Sequence, residues 1–308
     1  MSARHTSELE ALLVEEDFDG DVYPNEPMSR HTTYRIGGPA RFFVRVGSVG
    51  ALRRLVEECE ATGTPWTVVG RGSNLLVSDD GYEGVVVALG RDFRSSRFDE
   101  ETSRFCVGAG LALSAVVQGA FRRSLAGLEF AVGTPGSVGG AVRMNAGTRT
   151  EWMGARVASV TTYSPQAGLS RRAGRDMAWG YRTSSFRPDE VILECELSVE
   201  PADPGYIRAK MEGSLARRKK SQPLSDSSGG SVFKNPDGAS AGALIEGVGL
   251  KGRTFGGAQV SPLHANFIVN AGGATARDVV ELMDLAQREV YEAYGIELQP
   301  EIRFLGFA

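Results

Sequence analysis

Cysteine and histidine are scarce in this chain of 308 residues, three of each. Cys59, Cys106 and Cys195 lie far apart among apolar neighbours, and no pair has metal-ligand spacing. The expectation is three small buried thiols and no metal site. No apolar run approaches the about 20 residues that span a bilayer. The first ten residues, Met1 to Glu10, hold no apolar stretch of the signal-peptide kind. A cytoplasmic protein with no membrane partner is therefore expected. Surplus positive charge is missing too: the formal net charge is −4, which argues against a general affinity for nucleic acid. No internal repeat is visible, and no motif calls for an obligate protein partner.

What the chain has in excess is glycine, 39 residues, against a usual share of roughly 7%. The excess sits in discrete loops. Gly133-Thr-Pro-Gly-Ser-Val-Gly-Gly-Ala-Val-Arg-Met-Asn-Ala-Gly147 holds five glycines and a proline in fifteen residues. Such a run makes an uncomfortable helix or strand interior, because glycine loses the most backbone entropy on ordering. Without Cβ, successive main-chain N–H groups can form a concave nest for phosphate or another anion. A second loop, Gly70-Arg-Gly-Ser-Asn74, follows an apolar strand-like segment. It has neither Gly-x-Gly-x-x-Gly spacing nor a Gly-Lys-Ser/Thr ending, so it is no standard dinucleotide or P-loop motif. Two such loops suggest two jaws on one large phosphate-bearing ligand. Apolar residues at 42% and charged residues at 23% are ordinary for a globular protein, and the length implies two or three domains.

Along the chain, Phe42–Val46 reads as a strand and Ser48 as the cap of a helix burying Ala51, Leu52, Leu55, Val56 and Cys59. Strands at Thr67–Val69 and Val85–Leu89 complete a βαβ pattern. A helix presenting Leu113, Val116, Val117, Ala120 and Phe121 precedes the long glycine run. Strands follow at Val157–Tyr163 and Val191–Val199; in the second, Leu193, Cys195, Leu197 and Val199 alternate with polar residues. Pro201–Gly205 reads as a linker, and the helix after it carries Arg217-Arg-Lys-Lys220. Ser225–Pro236 is a polar, glycine-containing stretch. A helix around Ala241–Glu246 and a strand at Ala265–Asn270 come next. Thr275-Ala-Arg-Asp278 resembles a capping box opening a helix that buries Val279, Leu282, Met283, Ala286 and Val290. Ile302–Phe307 is a final strand.

Three side chains stand out for chemistry. Ser231, in Gly229-Gly-Ser-Val-Phe-Lys-Asn-Pro236, follows two glycines and is accessible; serine is also a common turn or cap residue. Gly-x-Ser-x-Gly is absent around it, so it is no nucleophile elbow, although a nearby lysine could make it a proton donor. Glu301, after Pro300, is a candidate acid or base, or else a solvated carboxylate. Arg182, in Tyr181-Arg-Thr-Ser-Ser-Phe186, has the planar donor fork that grips carboxylates, or else forms a surface ion pair.

Taken together, these stretches resemble the UDP-N-acetylenolpyruvoylglucosamine reductase family. The resemblance covers about residues 27 to 307. It is carried by Thr33-Tyr-Arg-Ile-Gly-Gly-Pro-Ala40, Gly70–Val77, Gly133–Gly147, Tyr181–Phe186, Gly229–Pro236, His264-Ala-Asn-Phe-Ile-Val-Asn270 and Leu298–Gly306. It implies an α+β fold: an FAD-binding domain of the vanillyl-alcohol-oxidase (PCMH) type in two subdomains, plus a smaller α+β substrate-binding domain. The corresponding divisions are an N-terminal extension over 1–24, an FAD domain over 25–203 (subdomains about 25–92 and 93–203), a substrate domain over 204–300, and a terminal strand over 301–308 returning to the FAD domain.

The resemblance further implies non-covalent FAD, NADPH as reductant and a UDP-sugar substrate. Catalytic roles fall to Arg182, Ser231 and Glu301. The cofactor contacts it implies are Arg35, Ile36 and Gly37; Gly70, Arg71, Gly72, Ser73, Asn74 and Leu75; Gly133, Thr134, Pro135, Gly136, Ser137, Gly139, Gly140 and Ala141; and Asn145, Ala146 and Gly147. Substrate contacts fall to Tyr181, Arg218, Lys234, Asn235, His264 and Asn266. The run from Tyr181 to Val191 leaves no space for the inserted tyrosine loop of the family's longer branch, so the chain resembles the shorter one. Thr134 departs from the family by standing where an aliphatic residue is usual. Two other readings stay open: an FAD oxidase of the same fold, disfavoured because neither Gly37–Pro39 nor Gly70–Asn74 contains a tethering histidine, and a non-catalytic flavin- or UDP-sugar-binding module.

Overall fold

Leu9, Leu12 and Leu13 share one face of a helix, α1 (Ser2–Leu13), and all three are buried. The computed structural model that shows this describes residues 2–307. The opening segment is therefore part of a core and no separate extension. Two compact units divide the chain: residues up to 24 with 42–70 and 84–215, and residues 25–41 with 71–83 and 216–308.

In the first unit, Ser48 is extended and its hydroxyl accepts from the Ala51 N–H at 3.3 Å, starting α2 (Val49–Thr62); left-handed Gly63 ends it. The expected face of Ala51, Leu52, Leu55, Val56 and Cys59 is buried. Strands Gly20–Pro27, Pro39–Val46, Tyr82–Leu89 and Trp66–Val68 are hydrogen-bonded in that order, the last two in parallel. A second sheet runs Gly168–Ala173, Val157–Ser164, Val191–Ser198, Arg104–Gly108 and Ser96–Asp99, antiparallel throughout. The alternation read in Val191–Ser198 holds, with Cys195 and Leu197 buried between half-buried Glu194, Glu196 and Ser198. Helix α3 (Leu113–Arg122) packs Leu113, Val116, Val117 and Ala120 into the same core.

The long glycine run departs from expectation, because its middle is a helix, α4 (Val138–Arg143). Ser137 caps it, its hydroxyl accepting from Gly140 N at 3.3 Å, and buried Val138, Ala141 and Val142 anchor it. Tertiary burial outweighs the poor helix propensity of two glycines, which cost about 1 kcal/mol each against alanine. The long helix α5 (Pro204–Ser221) buries Ile207 and Met211 in this first core, so the first unit reaches past the expected boundary at 203.

The second unit gathers Tyr34, Ile36 and Leu76 with Val232, Phe233, Ile245 and Ile302 in one core. Its sheet orders Ser228–Ser231, Phe267–Asn270, Ala258–Val260 and Thr254–Phe255, all antiparallel. Strand Ser228–Ser231 falls within the polar, glycine-containing stretch. Helix α6 (Ala241–Gly247) is capped by Ser240. Helix α7 (Ala276–Tyr294) has the expected capping box, Thr275 with Asp278, and buries the expected Val279, Leu282, Met283, Ala286 and Val290. Asp79 adds to that helix start: its two carboxylate oxygens accept from Ala276 N (2.8 Å) and Arg277 N (3.1 Å). The final strand, Arg303–Leu305, pairs in parallel with Leu75–Val77 inside this unit. Leu75–Val77 lies within the span expected for the FAD domain, so the terminal strand does return to that span, although residues 71–83 cluster with the second unit. All three cysteines are free and buried. Burial pushes the Cys59 thiol up to about 12, helped by Glu58 and Glu60.

Candidate active site

The two glycine loops present open backbone donors. Among the described residues, the N–H groups of Arg71, Gly72, Ser73 and Asn74 donate to no protein acceptor, whereas the carbonyls of Gly72 and Asn74 accept from Thr33 N and Arg303 N. Gly72 is left-handed (φ 61) between residues of negative φ, the alternation that turns successive N–H groups toward one point. A Cβ on Gly72 would lie 2.2 Å from the His31 carbonyl oxygen. In the first unit a Cβ on Gly70 would lie 2.1 Å from Ser137 Oγ, so close approach there requires glycine.

The second loop is narrower as a donor site than the sequence implies. Gly139 N donates to Ala109 O, Ala141 N to Ser137 O, and Gly140 N to Ser137 Oγ. These three N–H groups are spent on protein and offer nothing to a phosphate. Gly139 is small for packing, since its Cβ would stand 3.0 Å from that of Ala109. Gly133 (φ 70), Gly136 (φ 117) and Ser137 keep N–H groups without a protein acceptor among the described residues. Open amides and glycine-only clearances of this kind fit a dinucleotide cofactor with two phosphates. Arg35 (φ 56) and Ile36 belong to a turn in the second unit closed by Thr32, whose hydroxyl donates to Ile36 O at 2.8 Å.

Arg182 is the second residue of the tight turn joining Trp179–Gly180 to Thr183–Ser184 and is itself left-handed (φ 55). Its Nη1 donates to Gly147 O at 3.2 Å, and its guanidinium lies over the exposed Tyr181 ring, 5.2 Å from the centroid. Asn145, among the expected cofactor residues, holds this hairpin: Nδ2 donates to Gly180 O (2.8 Å) and Oδ1 accepts from Gly154 N (2.8 Å). Both ends of its amide are occupied. The segment on to Val191 closes in a turn from Arg187 to Glu190.

In the second unit, Ser231 and Glu301 are brought together through their main chains. Glu301 N donates to Val232 O at 2.8 Å, and Asn74 Nδ2 donates to Glu301 O at 3.2 Å. Ser231 ends its strand half-buried, and its hydroxyl has no protein partner among the described residues. It caps no helix and closes no turn. Asn266, expected at the substrate, is 3% exposed, with Oδ1 accepting from Phe233 N (3.0 Å) and Nδ2 donating to Phe233 O (2.8 Å). It holds the chain after Ser231. Asn235 Oδ1 accepts from Ala241 N at the start of α6 (3.0 Å), Lys234 N donates to Gln299 O (2.8 Å), and Arg218 lies half-buried in the last turn of α5. Thr33, to which the sequence assigned no role, donates its hydroxyl to Ser228 O at 2.6 Å. The only signal for it in the sequence was its place at the head of a glycine-containing motif.

His264 packs against Phe267 (5.0 Å between ring centroids), and its Nδ1 accepts from Asn266 N at 3.2 Å. Burial holds the imidazole below its ordinary 6.5; Lys251 adds to this and Glu246 opposes it. Because the folded value lies below the unfolded one, His264 supports stability fully above about pH 6.5, and that support is lost as pH falls through the folded value. We expect His264→Gln to flatten the loss of thermal stability below that pH, measured as Tm across a pH series. An unchanged slope would assign the loss to other groups.

Among the described residues, no helix is long and apolar enough to cross a membrane, and no cluster of His, Cys, Asp and Glu could hold a metal. Residues 40–166 match an FAD-binding domain, and residues 222–305 match the C-terminal domain of UDP-N-acetylenolpyruvoylglucosamine reductase. Fold and loops together define a flavoprotein oxidoreductase of mixed α+β class, an FAD-binding domain of the vanillyl-alcohol-oxidase type joined to a second α+β domain. The chain is 46% identical to the UDP-N-acetylenolpyruvoylglucosamine reductase of Heliobacterium modesticaldum over 292 residues, 94% of this chain and 92% of that one. It is 39% identical to the Bacillus subtilis protein of the same name over 289 residues, 93% and 95% of the two chains. The crystal structure of the Thermus caldophilus reductase matches at a TM-score of 0.80 and 36% identity, covering 93% of this chain and 98% of that one. The chain belongs to the UDP-N-acetylenolpyruvoylglucosamine reductase family.

Proposed function

We propose that the protein uses NADPH to reduce the enolpyruvyl ether of UDP-N-acetylglucosamine to UDP-N-acetylmuramate, in the cytoplasm, as a step of peptidoglycan precursor synthesis. The open amides of Arg71–Asn74 would receive the FAD pyrophosphate. Bound there, the flavin would supply hydride chemistry, carrying reducing equivalents from NADPH to the terminal carbon of the enolpyruvyl group. Negative charge then develops on the neighbouring carbon and its carboxylate. Arg182 and Glu301, the latter in its protonated form, stabilise that charge as preorganised donors, and Ser231 delivers the proton that completes the lactyl ether. Lys234, three residues beyond Ser231, supplies positive charge on the substrate side, with Arg218.

The observation that carries this reading is the state of Ser231. Its hydroxyl has no protein partner among the described residues, while the chain beside it is pinned by Val232 N to Asn266 O (2.9 Å) and by Glu301 N to Val232 O (2.8 Å). A hydroxyl held still and left unbonded suits a group that must meet a ligand. The test is NADPH oxidation by the purified protein: it should depend on the enolpyruvyl sugar and yield UDP-N-acetylmuramate mole for mole. Oxidation that proceeds equally without the sugar would overturn the assignment.

A further inference from the structure

The strand that carries Ser231 is irregular. Ser228 is opposite Val269 and Ser231 opposite Phe267, so three steps on one strand face two on the other. One extra residue makes a bulge, which re-aims the side chains beyond it. Gly230, at φ 80, supplies the left-handed step. Gly229 lets the Tyr34 ring lie against the bulge, for its Cβ would stand 2.4 Å from Tyr34 Cε2.

Two separate devices hold this bulge. Downstream, Asn266 and Glu301 fix Val232 and Phe233 through the bonds already described. Upstream, the anchor is Thr33, whose hydroxyl donates to Ser228 O at 2.6 Å while its N–H donates to Gly72 O at 3.2 Å. Gly72 lies in the loop of open amides. One residue therefore joins the start of the Ser231 bulge to the backbone that receives the cofactor. Gly230 and Ser73 run close alongside, a Cβ on Gly230 being 3.9 Å from Ser73 O.

We infer that Thr33 is a positioning residue for the reaction: its hydroxyl and N–H set where the Ser231 proton donor stands relative to the flavin-binding loop. The inference rests on the role given to Ser231 above. Thr33→Val keeps the shape and the N–H and deletes only the hydroxyl, while Thr33→Ser keeps the hydroxyl. In the FAD-bound protein, Thr33→Val is expected to speed hydrogen exchange of the amides at 228–231 and leave those of α7 unchanged. Reduction of the flavin by NADPH should stay within about twofold. Reoxidation by the enolpyruvyl sugar should slow about tenfold to a hundredfold, the scale of an ångström's misplacement, and Thr33→Ser should recover both exchange and rate. Unaltered exchange and reoxidation in Thr33→Val, an equal loss in both half-reactions, or no recovery in Thr33→Ser would each overturn the inference. Failure of the unmodified protein to be reoxidised by the sugar would overturn the functional reading itself, so the two failures are distinguishable.

Discussion

Ser231→Ala is expected to slow reoxidation of the reduced flavin by the enolpyruvyl sugar by about 10² to 10⁴, the usual contribution of a positioned proton donor. Reduction by NADPH should stay within about twofold, because it needs no proton from this side chain. The selectivity follows from the surroundings. The hydroxyl bonds to no protein group among the described residues, and the main chain beside it is held by Asn266 and Glu301. Losing one oxygen there removes no structural hydrogen bond. Fold and cofactor content should therefore be preserved, and rapid-mixing measurement of flavin absorbance in each half-reaction checks the split. Equal loss in both would assign Ser231 a structural role.

Gly72→Ala is expected to weaken FAD binding by at least about a hundredfold, near 2.7 kcal/mol. The left-handed backbone at φ 61 costs an alanine about 1–2 kcal/mol, and the new Cβ would meet the His31 carbonyl oxygen at 2.2 Å. That oxygen is backbone and cannot swing aside, so the loop must move and the line of open amides with it. Gly63→Ala is the control. Gly63 has nearly the same conformation, φ 66, but nothing within 4 Å of its Cβ. It should lose stability by about 1 kcal/mol and bind FAD normally. Titrating FAD into the two apoproteins separates strain alone from displacement of the loop.

Local chemistry was legible in the sequence and distant pairing was not. Ser48 before α2 and Thr275 with Asp278 before α7 announced their helices, since a cap and an apolar stripe lie within a few residues of each other. The glycine loops were legible as places of close backbone approach, because glycine alone fits left-handed turns and contacts that a Cβ would block. The division into units was not, for it depends on contacts such as Thr33 with Ser228, 195 residues apart, Asp79 with Ala276, 197 apart, and Asn74 with Glu301, 227 apart. These draw residues 25–41 and 71–83 into the second unit. Helix α4 was hidden because its glycines are chosen for packing against Ala109 and Ser137. The backbone bonds of Asn145 and Asn266 were hidden for a related reason: an asparagine that holds a backbone looks, in sequence, the same as one that holds a ligand.

The purified protein is reduced anaerobically with one equivalent of NADPH until its yellow colour bleaches, and the enolpyruvyl-UDP sugar is then added without oxygen. Flavin absorbance is expected to return in full, with one UDP-N-acetylmuramate formed for each flavin reoxidised. A flavin that stays bleached, or one that recovers its colour with the sugar unchanged, would contradict the proposed function.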